Sequence, residues 1–294
     1  MTALPLLCIA LAQNAPPVAG PSRMEYPLFI AVDGNGDVIV GDQDAPSILK
    51  ASPDGTVKTL FQASKYFRTP LNRPKGIAVA GNGDAYICDP TTMEVYRLGA
   101  GGRPEGLTGK TIKELNGKQG WRGEIIQPEG IAVAADGTVY VSDLRLRTIY
   151  KIAKGSRQPA KVATVDAPHG MALDPDGSLM VVSHGESHLV RVKPSDGSVT
   201  KILPGRLEAK NPPYPLSVAR RADGSYLVTD NYNKCLWAVT PEGKASVFVQ
   251  PPEFAKVTGV AVAKDGKIAV ADPKNGCVHW LSADGKIVGR SPKG

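Results

Sequence analysis

The chain has 294 residues, a net charge of +7, 32 Gly, 25 Pro and 42% hydrophobic residues, a make-up that suits an all-β protein with many turns better than a helical one. Length alone permits one large domain or two ordinary ones. No apolar run approaches the roughly 20 residues that a membrane-spanning helix needs, which excludes that class of membrane protein.

In chain order, the first feature is an apolar stretch from Ala3 to Ala12 that ends in Ala10-Leu11-Ala12, an A-x-A pattern of the kind cleaved from exported proteins. Residues 1–20 therefore read as a signal peptide and flexible N-terminus, and the protein as periplasmic or secreted. Cys8 falls in this leader, which leaves Cys88, Cys235 and Cys277 with no C-x-x-C pair. Cys235 and Cys277 take the same place in neighbouring repeats, too far apart to bridge, so buried free thiols are expected.

From residue 21 to 294 one pattern recurs six times: a short apolar strand centred on Ala, a turn Gly five residues later, and a second strand. The Ala positions are 31, 78, 132, 172, 219 and 261, each with its glycine in the pair Asn35-Gly36, Asn82-Gly83, Asp136-Gly137, Asp176-Gly177, Asp223-Gly224 or Asp265-Gly266. Such pairs supply the positive φ of a tight hairpin. The glycines are spaced by 40 to 54 residues, the length of one four-stranded propeller blade. The expected fold is all-β, a six-bladed β-propeller of four-stranded antiparallel blades, with repeats starting near 26, 73, 127, 167, 214 and 256. Small apolar first strands such as Ile131-Ala132-Val133 belong where strands crowd around the central axis. The second strands end on Asp42, Asp89, Asp143, Asp230 and Asp272, with Ser183 in blade four. An Asp at a strand end accepts backbone N–H groups of the adjoining turn, so these five carboxylates are structural.

Segments such as Arg73-Pro74-Lys75-Gly76-Ile77-Ala78-Val79 and Gln127-Pro128-Glu129-Gly130-Ile131-Ala132-Val133 resemble NHL repeats, with their P-x-G-I-A-V start, D/N-G turn and Y-V-x-D strand. The resemblance runs from residue 26 to about 290. It implies the propeller fold and leaves function open, because such propellers include binding proteins, lyases and lactonases.

The residue between Pro and Gly in each repeat is placed at the mouth of the central channel. The six slots hold Leu28, Lys75, Glu129, His169, Leu216 and Thr258, and the loops starting at His184 and at Asn231, which includes Tyr232, return to the same rim. Blade four stands out with Pro168-His169-Gly170-Met171 and Ser183-His184-Gly185, which put two histidines side by side next to Glu129. A histidine pair with a carboxylate can bind a divalent metal or act as a general base. Lys65, Arg68, Arg73, Lys75, Lys110, Lys113, Lys118, Arg122, Arg206 and Lys210 fall in or beside the long loops of this face, with Tyr66, Phe67 and Trp121 among them. Such a face suits single-stranded RNA, but an exported chain would use it for an anionic small molecule, a glycan or an envelope partner.

Glu25-Tyr26-Pro27-Leu28-Phe29 and Pro168-His169-Gly170-Met171 are similar to motifs of the gluconolactonase and senescence-marker propellers, which are metal-dependent lactonases. By blade position the resemblance keeps Glu25, puts His169 for an Asn and Leu216 for an Asp. By local motif it gives Glu25, Glu129 and His169 as ligands of a divalent cation such as Ca, Mg or Zn, with His184 as base. The zinc-dependent amidating lyases place His in the slot of several blades, which only His169 does here. The expectation is a monomeric exported propeller binding a ligand or protein partner at its channel mouth through Lys75, Glu129, His169, His184, Tyr232 and Trp121, with His169 and His184 as the candidate catalytic pair. The alternative is a lactonase-like hydrolase or lyase acting at the same face.

Overall fold

The computed structural model describes residues 24–64, 69–108, 124–185, 188–203 and 209–293. The leader and the loop residues Lys65, Arg68, Lys110, Lys113, Lys118, Trp121, Arg122 and Arg206 lie outside the described residues. Blade one is built of β1 (Pro27–Val32), β2 (Val38–Asp42), β3 (Ser47–Ala51) and β4 (Val57–Gln62); blade two of β5 (Ile77–Val79), β6 (Ala85–Asp89), β7 (Glu94–Leu98) and β8 (Pro104–Gly106). Blade three holds β9 (Pro128–Val133), β10 (Val139–Asp143), β11 (Thr148–Ile152) and β12 (Ala160–Thr164), and blade four β13 (Pro168–Leu173), β14 (Leu179–Ser183), β15 (Leu189–Val192) and β16 (Val199–Lys201). Blade five has β17 (Pro215–Arg220), β18 (Tyr226–Asp230), β19 (Cys235–Val239) and β20 (Ala245–Val249), and blade six β21 (Val260–Val262), β22 (Ile268–Asp272), β23 (Cys277–Leu281) and β24 (Ile287–Ser291). Each blade is an antiparallel meander of four consecutive strands, and the described residues form no helix.

The turn glycines behave as the pattern predicts. Gly36, Gly83, Gly137, Gly177, Gly224 and Gly266 all have φ between 82° and 88°, whereas the Asn or Asp before each keeps a negative φ. The positive φ thus belongs to the glycine alone, and Gly36 N donates to Asp33 O to close the first of these turns at 3.2 Å.

The hydrophobic core is divided among the joints between blades. Six buried clusters fill them, for example Ile39, Ile48, Ile77 and Ile87 between blades one and two, and Met180, Val182, Val228 and Trp237 between blades four and five. The ring closes by the same kind of packing: Met24, Val40 and Leu49 meet Val278 and Trp280 of blade six. Thr258 Oγ1 adds a bond to Leu28 O at 2.7 Å. Residues Ile287–Ser291 complete blade six within their own repeat, and among the described residues no N-terminal strand pairs into it. Met24 N does donate to Gly276 O at 3.3 Å.

The strand-end carboxylates bind backbone. Asp42 takes the N–H groups of Glu25 at 2.7 Å and Tyr26 at 2.9 Å, and Asp143 those of Gln127 at 3.0 Å and Leu146 at 2.8 Å. Each side chain thereby ties the segment entering its blade to the turn that leaves the second strand. Ser183 performs a thinner version in blade four, donating to Asp166 O at 2.5 Å and accepting from Gly185 N at 3.2 Å. Cys88, Cys235 and Cys277 are free and buried, as expected.

Candidate functional site

Where the innermost strands begin, the backbones of neighbouring blades nearly touch. Gly76 N donates to Glu129 O at 2.8 Å, and Ser142 Oγ donates to His169 O at 2.7 Å while accepting from Gly130 N at 2.8 Å. Pairing slips by one or more residues between Pro27 and Phe29, opposite Pro128 to Ile131, between Pro168 and Met171, and between Pro215 and Val218. Leu28, Glu129, His169 and Leu216 therefore sit in bulges, a device that re-aims a side chain at the end of a strand. The close approach depends on glycine after the slot, because a methyl group on Gly130 would lie 2.1 Å from His169 O.

Four aromatic rings run in a file from the buried slot of blade four to the exposed rim of blade five. The His169 and His184 ring centroids are 4.2 Å apart, those of His184 and Tyr214 4.5 Å, and those of Tyr214 and Tyr232 4.7 Å, the last pair stacked with 19° between planes. His169 is 7% exposed and Tyr232 55%, so the file leads from solvent into the protein. His184 and Tyr232 stand at the ends of the second strands of their blades, and Tyr214 enters just ahead of β17.

The two imidazoles are neutral at ordinary pH. Burial, with help from the His184 ring and the Lys75 ammonium, pulls His169 down to about 3. Burial also lowers His184, against the opposing pull of its Pro215 bond and the Glu129 charge. The Nε2 of His184 faces the Pro215 carbonyl, which can only accept, so Nε2 carries the proton and Nδ1 is the lone-pair atom. The Nδ1 of His169 is buried with no hydrogen-bond partner among the described residues.

Beside the histidines lies an ion pair. Lys75 Nζ is 2.7 Å from both carboxylate oxygens of Glu129, whose side chain is 1% exposed, and Gln127 Nε2 donates to the same group at 3.1 Å. Across the mouth Lys256 Nζ donates to Tyr26 Oη at 2.5 Å.

The structure thus brings together Lys75, Glu129, His169, His184 and Tyr232 at one mouth, while Trp121 lies outside the described residues. It does not assemble Glu25, Glu129 and His169. Among the described residues no group of three or more His, Cys, Asp or Glu side chains could hold a metal ion. Glu25 is exposed ahead of β1 and its N–H is held by Asp42, and the Glu129 carboxylate is already engaged by an ammonium and an amide. The donor set does not fit a divalent cation. His188 directly precedes β15 and its carbonyl accepts from Ser183 N at 3.2 Å, while His279 on β23 contacts Asp272 at 3.3 Å, as Trp237 contacts Asp230 at 3.1 Å one blade earlier.

Tyr214 is the residue that the repeat pattern did not single out. It stands two places before the slot, as Tyr26 does in blade one, and the recurrence of Tyr-Pro-Leu at 26–28 and 214–216 is the signal that marks it.

Fold and mouth together define a six-bladed β-propeller with a cluster of histidine and tyrosine rings at one end of its channel. No protein-family model matches the chain, and no curated protein matches it by sequence. Among solved structures it is similar to a gluconolactonase of Xanthomonas campestris, with a TM-score of 0.70 and 16% identity over 88% of this chain and 86% of that one. It is also similar to a streptogramin B lyase, at 0.67 and 16% over 93% and 85%. A third is a catalytically inactive His-to-Ala variant of virginiamycin B lyase from Staphylococcus aureus with quinupristin, at 0.64 and 13% over 93% and 87%. At these identities the likeness is one of fold alone, the six-bladed β-propeller.

Proposed function

We propose that this chain is an enzyme of the lactonase or lyase kind, working at the channel mouth with His184 as general base. The observation that carries the reading is the His184 ring itself, set in one tautomer by the Pro215 carbonyl, kept neutral by burial and flanked by a second neutral imidazole. Nδ1 of His184 can take a proton from water as it attacks a lactone carbonyl, or from the carbon next to a leaving group in an elimination. A carbonyl partner orients the base as a carboxylate would, without adding charge. The exposed ring of Tyr232, backed by Tyr214, offers a flat surface for the remainder of the substrate. Support for the enzyme class comes from the architecture shared with a gluconolactonase, a streptogramin B lyase and a virginiamycin B lyase, the last of which a His-to-Ala replacement inactivates. The NHL-like repeat and the apolar leader add a further part of the proposal, an NHL-type propeller exported to the periplasm or beyond.

The test is turnover of gluconolactone and of quinupristin by the purified protein. His184→Ala should lower the rate by about 10²- to 10⁴-fold without lowering the unfolding temperature. Failure of the wild type to turn over either compound, together with no stabilisation by them, would count against the whole reading. A second reading, a ligand-binding propeller without chemistry, is favoured by one observation: a histidine as hard to protonate as His169 is a hydrogen-bond acceptor rather than a base. Binding without turnover would select it.

A further inference from the structure

The lactonase-like motifs imply a divalent cation at this mouth, and the residues present do not form a site for one. We infer that the Lys75 ammonium is the resident cation of the channel mouth, built into the chain from blade two and docked on the blade-three carboxylate where a metal ion would otherwise be needed.

Three features of the mouth lead there. First, a carboxylate as enclosed as Glu129 requires a positive partner, since an unpaired buried charge is strongly unfavourable. Lys75 supplies it at 2.7 Å to both oxygens, and Gln127 adds a neutral donor at 3.1 Å, so fixed protein groups take up three of the carboxylate's roughly four acceptor sites. Second, the placement is structural. Gly76, next in sequence to Lys75, donates its N–H to Glu129 O at 2.8 Å, which locks the two slots side by side before any side chain chooses a rotamer. Third, the neighbours of the pair are neutral donor atoms of the type that bind metals: the two imidazoles, with His169 Nδ1 buried and unpartnered among the described residues. With Lys75 in place the cluster is electrically complete. Without it, a buried carboxylate beside two neutral imidazoles would remain.

An ammonium has three N–H donors, and two are spent on Glu129. The third has no partner among the described residues, and the Lys75 side chain is 26% exposed at the mouth. Lys75 can therefore hold a ligand oxygen, a carbonyl or carboxylate, while Glu129 holds Lys75. This inference stands whether the mouth catalyses or only binds.

Metal analysis and thermal unfolding decide it with Zn²⁺, Mn²⁺ and Ca²⁺ as the probes. The wild type should carry no stoichiometric divalent ion and should keep its unfolding temperature on chelation and on addition of each ion. Lys75→Ala, stripped of metal, releases the Glu129 carboxylate to turn towards the two imidazoles, a rearrangement that the wild-type donor set does not allow, and should gain a rise of about 5 °C at an ion concentration about 100-fold above Kd. Adding Glu129→Gln to that variant should abolish the rise. Should Lys75→Ala fail to fold alone, its refolding with and without Zn²⁺ reads the same property. A divalent ion bound by the wild type and lost on Glu129→Gln overturns the inference, and so does a Lys75→Ala protein that ignores all three ions. Neither measurement involves turnover, so its failure is distinct from failure of the enzyme reading.

Discussion

Gly130→Ala puts the central construction of the mouth under direct strain. Gly130 has an ordinary negative φ, so alanine adds no conformational penalty and the outcome depends on space alone. A methyl group there would lie 2.1 Å from His169 O and 2.9 Å from both His169 C and Gly170 Cα, well inside van der Waals contact with backbone that cannot rotate away. β9 and β13 are each anchored to their own second strand, so relief requires two blades to part. Overpacking typically costs about 1–3 kcal/mol, and with backbone on both sides the upper end of that range, about 3 kcal/mol, is expected. Gly81→Ala is the control: no atom lies within 4 Å of its added methyl and its φ is not positive, so it should fall between neutral and about 1 kcal/mol more stable. Guanidinium unfolding separates the two, with a lower midpoint and unchanged slope for Gly130→Ala. As blades three and four part, Glu129 must shift relative to His169 and His184, so turnover or ligand binding should fall along with stability. A Gly130→Ala protein within about 0.5 kcal/mol of the Gly81→Ala control would refute the claim that close backbone approach sets the position of His169.

Two further outcomes follow from the same geometry. Asp143→Ala removes the acceptor for the Ile126, Gln127 and Leu146 N–H groups, and should cost about 2–4 kcal/mol in denaturant unfolding; because Gln127 also steadies Glu129, ligand affinity at the mouth should drop with it. His169 ionises near 6.5 when unfolded and near 3 when folded, so the unfolded chain binds the extra proton and stability falls as pH drops from 6.5 towards 3. His169→Gln should escape this loss, gaining up to about 2 kcal/mol relative to the wild type between pH 7 and pH 5; equal pH dependence in the two proteins would show that the imidazole is not held neutral.

Nearly the whole fold was legible in the sequence, because each blade carries its own instructions. An Ala-centred strand, a glycine that only a positive φ explains and an Asp that only backbone N–H groups satisfy recur with enough regularity to number the blades and to place Lys75, Glu129 and His169 in equivalent slots. The pairing of His169 with His184 could be read for the same reason, since both lie within one repeat. Contacts between repeats could not. The tilted contact of Tyr214 with His184 joins blades five and four, and the docking of Lys75 on Glu129 joins two and three; both depend on the angle between blades, which is set by the packing of clusters such as Met180 with Trp237 and leaves no periodic trace. The expected metal set failed for a related reason. Motif likeness aligned Glu129 with a ligand, but its partner arrives from a neighbouring repeat as a lysine.

Every sheet in this ring is assembled from consecutive strands, and between blades there are mainly side chains. The number of blades is consequently a matter of wedge angle: side-chain volume at six joints, rather than any hydrogen-bonded ladder, determines how far each blade turns from the last. A change of volume at one joint, far from the mouth, would open or tighten the circle as a whole and alter the distance across the channel between residues that never touch it.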